Sequence, residues 1–120
     1  MNKKILVYAP NWIGDAVMAV PAVKAVKLVF PESHLTLLGK TWVADVFQFV
    51  PEVDDLLTFT RAQRKSRQGR KELITQIRER EFGMAFLLPD SFSTAYLLCR
   101  SKIPMRIGFA NEFRSFMLTT

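Results

Sequence analysis

Asp15 follows the apolar run Ile5-Leu6-Val7 and the punctuating stretch Pro10-Asn11-Trp12-Ile13-Gly14, where a strand hands over to a helix. Open α/β sheets hold their ligands at such handovers, outside the carboxyl ends of the strands. A carboxylate there has two roles open to it. It can cap or complement the positive end of the helix, or it can accept a proton from a bound hydroxyl. Asn11 brings an amide donor and acceptor to the same loop, where turn formation is its alternative role, and Trp12 brings a ring that either stacks on a sugar or closes over the core.

A second concentration of chemistry is electrostatic. Residues 61–80 hold eight basic side chains against Glu72 and Glu79, a net +6 that equals the net charge of the whole chain. The run begins in a loop after the third expected strand and continues onto a helix with the apolar stripe Leu73, Ile74 and Ile77. Loops after strands face the ligand cleft. Arg61, Arg64, Lys65 and Arg67 are therefore candidates for contact with an anionic ligand, guanidinium forks suiting phosphate and carboxylate alike. A solvated, mobile basic loop is the plainer reading.

Pro89-Asp90-Ser91-Phe92-Ser93 makes another strand-to-helix handover. Asp90 or Ser91 is placed to cap the following helix, and the Ser91 hydroxyl to touch a ligand. Arg106, beside the last expected strand, either reaches the cleft or pairs with a surface carboxylate. Other motifs fail on inspection. Gly39-Lys40-Thr41 ends like a phosphate-binding loop, but His34 stands where that motif requires glycine, and no G-x-G-x-x-G follows the first strand. His34 has no Cys, His or carboxylate at metal-ligand spacing, so no metal site is expected, and His34 reads as a loop residue ahead of a strand.

The elements that must position these residues alternate regularly. Strands are expected near 5–9, 35–39, 55–59, 84–88 and 106–109, and helices at 15–29, 41–49, 69–81 and 91–101. Such βα alternation implies an α/β fold with a parallel, Rossmann-like sheet flanked by helices and right-handed crossovers. In the first helix Val17, Val20, Ala25, Val26 and Val29 are broken only by Lys24 and Lys27, which predicts a broad buried face. Pro21 is expected to kink that helix and set off its first turn and a half as a separate piece.

Seven blocks, in order, are similar to the bacterial lipopolysaccharide heptosyltransferases of glycosyltransferase family 9, particularly the heptosyltransferase II branch. They are Ala9 to Val17 with Pro21-Ala22, Phe30-Pro31-Glu32, Leu37-Leu38-Gly39-Lys40, Trp42-Val43-Ala44, Pro51-Glu52-Val53-Asp54, Leu87 to Phe92, and Ile103 to Phe109. The resemblance implies the N-terminal half of a GT-B fold. It also implies an inverting, metal-independent transfer of heptose from ADP-heptose to the lipopolysaccharide inner core, with the aspartate matching Asp15 as general base. It implies that Asn11, Trp12, Arg61, Arg64, Lys65, Arg67, Ser91 and Arg106 lie on the acceptor side. No bound cofactor is implied, the nucleotide-sugar donor being held mostly by a second domain. The chain departs from the pattern at Asp90, where the family has asparagine, which sets a carboxylate against an anionic acceptor.

A chain of 120 residues accommodates one such domain and not two. Residues 1–120 are accordingly expected to be the N-terminal acceptor-binding domain of a longer protein, inactive alone and prone to dimerise through an exposed apolar interdomain face. With 49% hydrophobic and 23% charged residues the composition is that of a globular domain. Pro10-Asn11 cuts the first apolar run too short for a signal peptide, and no stretch reaches the ~18 apolar residues of a membrane span, so contact with the inner membrane would be peripheral. The single Cys99, in the apolar helix stretch Tyr96 to Cys99, excludes an internal disulfide, suits a reducing cytoplasm and reads as core. Two other functions compete. One is a non-enzymatic polyanion-binding module built on residues 61–80, although the lack of interleaved aromatic residues argues against a nucleic-acid platform. The other is a GT-B transferase acting on another sugar pair.

Overall fold

Alternation along the first strand decides the layering. In β1 (Lys4–Tyr8) the side chains of Leu6 and Tyr8 point to one face of the sheet and those of Ile5 and Val7 to the other, and all four are buried. A strand buried on both faces belongs in the middle of a parallel sheet. The computed structural model, which describes residues 3–88, 96–97 and 100–108, shows this arrangement. β1 lies between β2 (His34–Lys40) and β4 (Met84–Leu87), β3 (Asp55–Phe59) pairs with β2, and β5 (Met105–Gly108) pairs with β4. All pairings are parallel and the order is β3-β2-β1-β4-β5.

Helices cover both faces. α1 (Ile13–Val29), α2 (Thr41–Ala44) and the 3₁₀ turn Asp45–Phe47 close over Ile5, Val7, Leu35 and Leu37. α4 (Arg67–Glu79) sends Leu73 and Ile77 onto Leu6, Tyr8, Leu38 and Phe59 on the opposite face, where Leu97 joins them. Right-handed crossovers that run in opposite directions along the sheet, from β1 to β2 and from β3 to β4, require helices on opposite faces.

Several expectations are corrected. α1 runs unbroken through Pro21, which lies on its exposed side. Its buried face is narrow: only Ala16 and Val23 are fully buried, while Val17, Ala25 and Val29 are exposed. The helix expected over 41–49 is α2 followed by the 3₁₀ turn, and His34 is the first residue of β2, its N–H donating to the Lys3 carbonyl at 2.7 Å. Of the helix expected at 91–101, Tyr96, Leu97 and Arg100 are helical, and Asp90, Ser91 and Cys99 lie outside the described residues.

At the amino edge of the sheet, Asp54 ties three elements together. Its Oδ2 accepts from the Lys27 ammonium at 2.6 Å and from the Leu35 N–H at 2.8 Å, joining the end of α1 to the starts of β2 and β3. Burial alone would raise the Asp54 pKa; the Leu35 N–H, the Lys27 hydrogen bond and charge, and His34 outweigh it and hold the carboxyl below its ordinary value. A depressed folded-state pKa means that the unfolded chain binds the extra proton. The stabilisation is therefore complete above the unfolded carboxylate value of about 3.9 and is lost as pH falls through the folded value. Asp54→Asn is expected to cost about 1 kcal/mol at neutral pH, partial exposure limiting the effect. Thermal unfolding of both proteins between pH 6 and 3 should show the gap closing only below about pH 4. A gap independent of pH would remove the carboxylate's charge from the account.

Candidate functional site

The sheet order reverses between β1 and β4, since β2 lies on one side of β1 and β4 on the other. That reversal opens a crevice at the carboxyl ends of the strands, the usual ligand position in such sheets. The strand ends are pinned there: Ala9 N–H donates to the Leu38 carbonyl at 2.8 Å and Leu88 N–H to the Tyr8 carbonyl at 3.1 Å. The half-buried Asn11 and the 73% exposed Trp12 follow directly.

Trp12 is the N-cap of α1, extended at φ −114° and ψ 142°, and no side chain caps the helix. Asp15 stands at the third position of the first turn, where its charge complements the helix dipole. The carboxylate is exposed and, among the described residues, makes no hydrogen bond or ion pair. Within the first of the two roles read in the sequence, Asp15 complements the helix dipole and makes no capping hydrogen bond. Trp12, Ile13, Val17 and Met18, each more than half exposed, surround it with apolar surface.

Gly14 beside it has open space where a Cβ would be, with no atom within 4 Å. Nothing in this chain requires glycine there. Gly14→Ala is expected to keep the fold, and to stabilise it by up to about 1 kcal/mol through helix propensity, in a chemical-denaturation midpoint. A destabilised Gly14→Ala would contradict the open position.

The basic stretch after β3 is helical. Thr60 Oγ1 accepts from Gln63 N–H at 3.2 Å while Gln63 Oε1 accepts from Thr60 N–H at 2.8 Å, a reciprocal capping box that starts α3 (Arg61–Lys65). Ser66 then caps α4, its Oγ accepting from Gly69 N–H at 2.9 Å. Arg61, Arg64 and Lys65 consequently share one face of a short helix at i, i+3 and i+4 rather than a loose loop. The Arg64 guanidinium lies 6.0 Å from the centre of the Phe59 ring, which in turn meets Tyr8 at 5.8 Å.

Asn11, Trp12 and Asp15 are thus brought together at the end of β1, and Arg61, Arg64 and Lys65 stand at the same edge two strands away. With strands about 4.8 Å apart, the ends of β1 and β3 from which the two groups start are roughly 10 Å apart along the sheet edge. Arg67 opens α4. Arg106 is not at this edge: its register with Ala85 and Leu6 places it in the amino half of the sheet, where its guanidinium donates to the Ile103 carbonyl. Arg80 likewise ion-pairs with Asp55 at 2.7 Å at the start of β3. Ser91 lies outside the described residues. Among the described residues no group of three His, Cys, Asp or Glu side chains stands together as a metal site, and no helix is long and apolar enough to cross a membrane.

Sequence reasoning missed α3 and a hollow of about 380 Å³ lined by Arg67, Arg70, Lys71, Ile74, Tyr96 and Arg100. Both had signals: the Thr60-x-x-Gln63 spacing for the cap, and the i, i+3, i+4 spacing of Arg67, Arg70 and Lys71 for one cationic helix face.

Comparison with known proteins agrees with this architecture. The model of glycosyltransferase family 9 (heptosyltransferase) matches residues 70–120. Lipopolysaccharide heptosyltransferase 2 of Salmonella typhimurium is 28% identical over 116 residues, covering 96% of this chain and 33% of that protein. Lipooligosaccharide heptosyltransferase 2 of Campylobacter jejuni is 29% identical over 108 residues, covering 88% and 32%. The solved structure of Escherichia coli ADP-heptose lipopolysaccharide heptosyltransferase II superposes with a TM-score of 0.81 at 29% identity, over 96% of this chain and 33% of that one. A family 9 glycosyltransferase of Veillonella parvula shares the fold, with a TM-score of 0.88 at 20% identity over 99% and 36%. The chain spans about a third of the length of the curated relatives it matches. The resemblance read in the sequence is thus met again in these comparisons: over nearly its whole length the chain is similar to the first third of family 9 heptosyltransferases.

Proposed function

We propose that residues 1–120 form the acceptor side of an inverting glycosyltransferase that moves heptose from ADP-heptose to the lipopolysaccharide inner core, with Asp15 as general base. The carrying observation is the Asp15 carboxylate, exposed at the sheet's switch point and without a hydrogen bond or ion pair among the described residues. A carboxylate already engaged in capping or an ion pair would be a poorer base.

In the reaction, an acceptor hydroxyl gives its proton to Asp15 as its oxygen attacks the anomeric carbon of the donor. The bond from that carbon to the diphosphate oxygen breaks, ADP leaves with the electron pair, and the single displacement inverts the configuration. Arg61, Arg64, Lys65 and Arg67 hold the anionic groups of the acceptor, about 10 Å along the sheet edge being a span of roughly two sugar rings. Trp12 and Asn11 contact the ring that carries the attacked hydroxyl. The donor is held by a further domain of a longer protein, so this chain alone binds acceptor without turning it over.

Titrating the 120-residue chain with heptosylated core oligosaccharide while following backbone amide resonances tests the acceptor half of the proposal. Saturable shifts confined to the loop after β1, the first turn of α1 and α3 are expected. Binding elsewhere, or none at millimolar oligosaccharide, would overturn the acceptor assignment.

A further inference from the structure

The hollow between α4 and the helical residues Tyr96, Leu97 and Arg100 shares only Arg67 with the site just described. α1, with Asp15, packs on one face of the sheet, whereas α4 and Leu97 pack on the other. Four cationic side chains line the hollow: Arg67, Arg70 and Lys71 from the first two turns of α4, and Arg100 from across it. Among the described residues no carboxylate pairs with any of them, and the nearby Glu72 accepts instead from Gln68 at 3.3 Å.

Two of the four cations are positioned by contacts of their own. Arg70 donates to the Arg64 and Lys65 carbonyls at 3.1 and 3.0 Å, which fixes its guanidinium against the end of α3. Arg100 donates to the Tyr96 hydroxyl at 3.0 Å with its guanidinium 5.8 Å from the ring centre. Each bond uses one terminal nitrogen and leaves the other N–H groups of the fork to a ligand. Ile74 and the ring of Tyr96 add an apolar wall beside the charges.

Like charges gathered in one hollow repel, and a dianion relieves more of that repulsion than a carboxylate does. A phosphomonoester carries close to two negative charges at neutral pH and three acceptor oxygens, matching forked donors from two sides. We propose that this hollow is a second, phosphomonoester-binding site, the phosphate meeting Lys71, Arg100, Arg67 and Arg70 and the attached carbon body lying on Tyr96 and Ile74. The inference does not depend on the acceptor reading, since the hollow contains neither Asp15 nor the residues of α3 and shares only Arg67 with that site.

The probes are inorganic phosphate, acetate as a monoanion, and phosphatidylcholine vesicles with and without phosphatidic acid, each added to the 120-residue chain under amide resonance detection. Phosphate is expected to give saturable shifts confined to 67–74 and 96–100, weakened about tenfold by Lys71→Gln or Arg100→Gln. Lys24→Gln, which removes one positive charge from the opposite face, is expected to change nothing. Binding to free phosphate and to phosphatidic acid vesicles marks any accessible phosphomonoester as ligand; binding to vesicles only marks a lipid headgroup. Equal shifts with acetate, equal weakening by Lys24→Gln, or no binding to either phosphate source would overturn the proposal. The shift map of the unaltered chain and the acetate arm decide the matter even if a variant fails to fold.

Discussion

Asp15→Asn in the full-length protein is expected to lower turnover by ~10²–10⁴, the typical contribution of a positioned general base, with little change in apparent acceptor affinity. The substitution is nearly isosteric and the side chain is exposed without a hydrogen-bond partner among the described residues, so no packing or polar contact is lost. The one structural consequence is a missing negative charge in the first turn of α1, worth about 0.3–1 kcal/mol. Turnover and stability should therefore separate. A structural role would move the melting temperature along with the rate, whereas a base moves the rate alone. Measured kcat, KM and melting temperature for both proteins decide between the two. An unchanged kcat would discard Asp15 as the base.

Gly69→Ala is expected to destabilise the domain by about 3 kcal/mol, the upper end of the usual cost of overpacking, which lowers the melting temperature by roughly 10 °C. Helix propensity alone argues the reverse, since alanine in place of glycine inside a helix gains about 1 kcal/mol. Geometry wins: a Cβ on Gly69 would stand 2.4 Å from the Gln63 carbonyl oxygen, 2.6 Å from the Gln63 Cα and 2.7 Å from the Ser66 Oγ. Two of these atoms are backbone and cannot rotate away. α3 would have to lift from α4, and with it the Ser66 cap that Gly69 N–H completes. Because α3 carries Arg61, Arg64 and Lys65, acceptor binding should weaken with stability. Calorimetry on the two proteins checks this, and a variant as stable as the original would mean that α3 is not docked as described.

The strands were legible because each is a short apolar run between turn residues, and their alternation with helices fixes a parallel sheet. Neither α3 nor the true buried line of α1 could be found in the same way. α3 is Arg-Ala-Gln-Arg-Lys, without apolar periodicity, and its only signals are the caps at Thr60 and Ser66, which also read as loop punctuation. α1 is apolar nearly all round, so its sequence does not reveal that Ala16 and Val23 face inward while Val17, Met18 and Leu28 face out. Asp15 was legible because a carboxylate after Pro10 and Gly14 falls at a helix start whatever the details of the loop. That Trp12 and not Asp15 holds the N-cap position depends on where α1 begins, which no local residue preference dictates. For Arg106, proximity to a strand in sequence does not say where along the sheet it lies; its register with Ala85 does.

The most direct test of the central claim is mass-spectrometric detection of product after the full-length protein is incubated with ADP-heptose and a heptosylated lipopolysaccharide core. The account predicts one heptose added per acceptor in an inverted linkage, without added metal. An unmodified core, with heptose transfer absent or another nucleotide sugar consumed in its place, would contradict it.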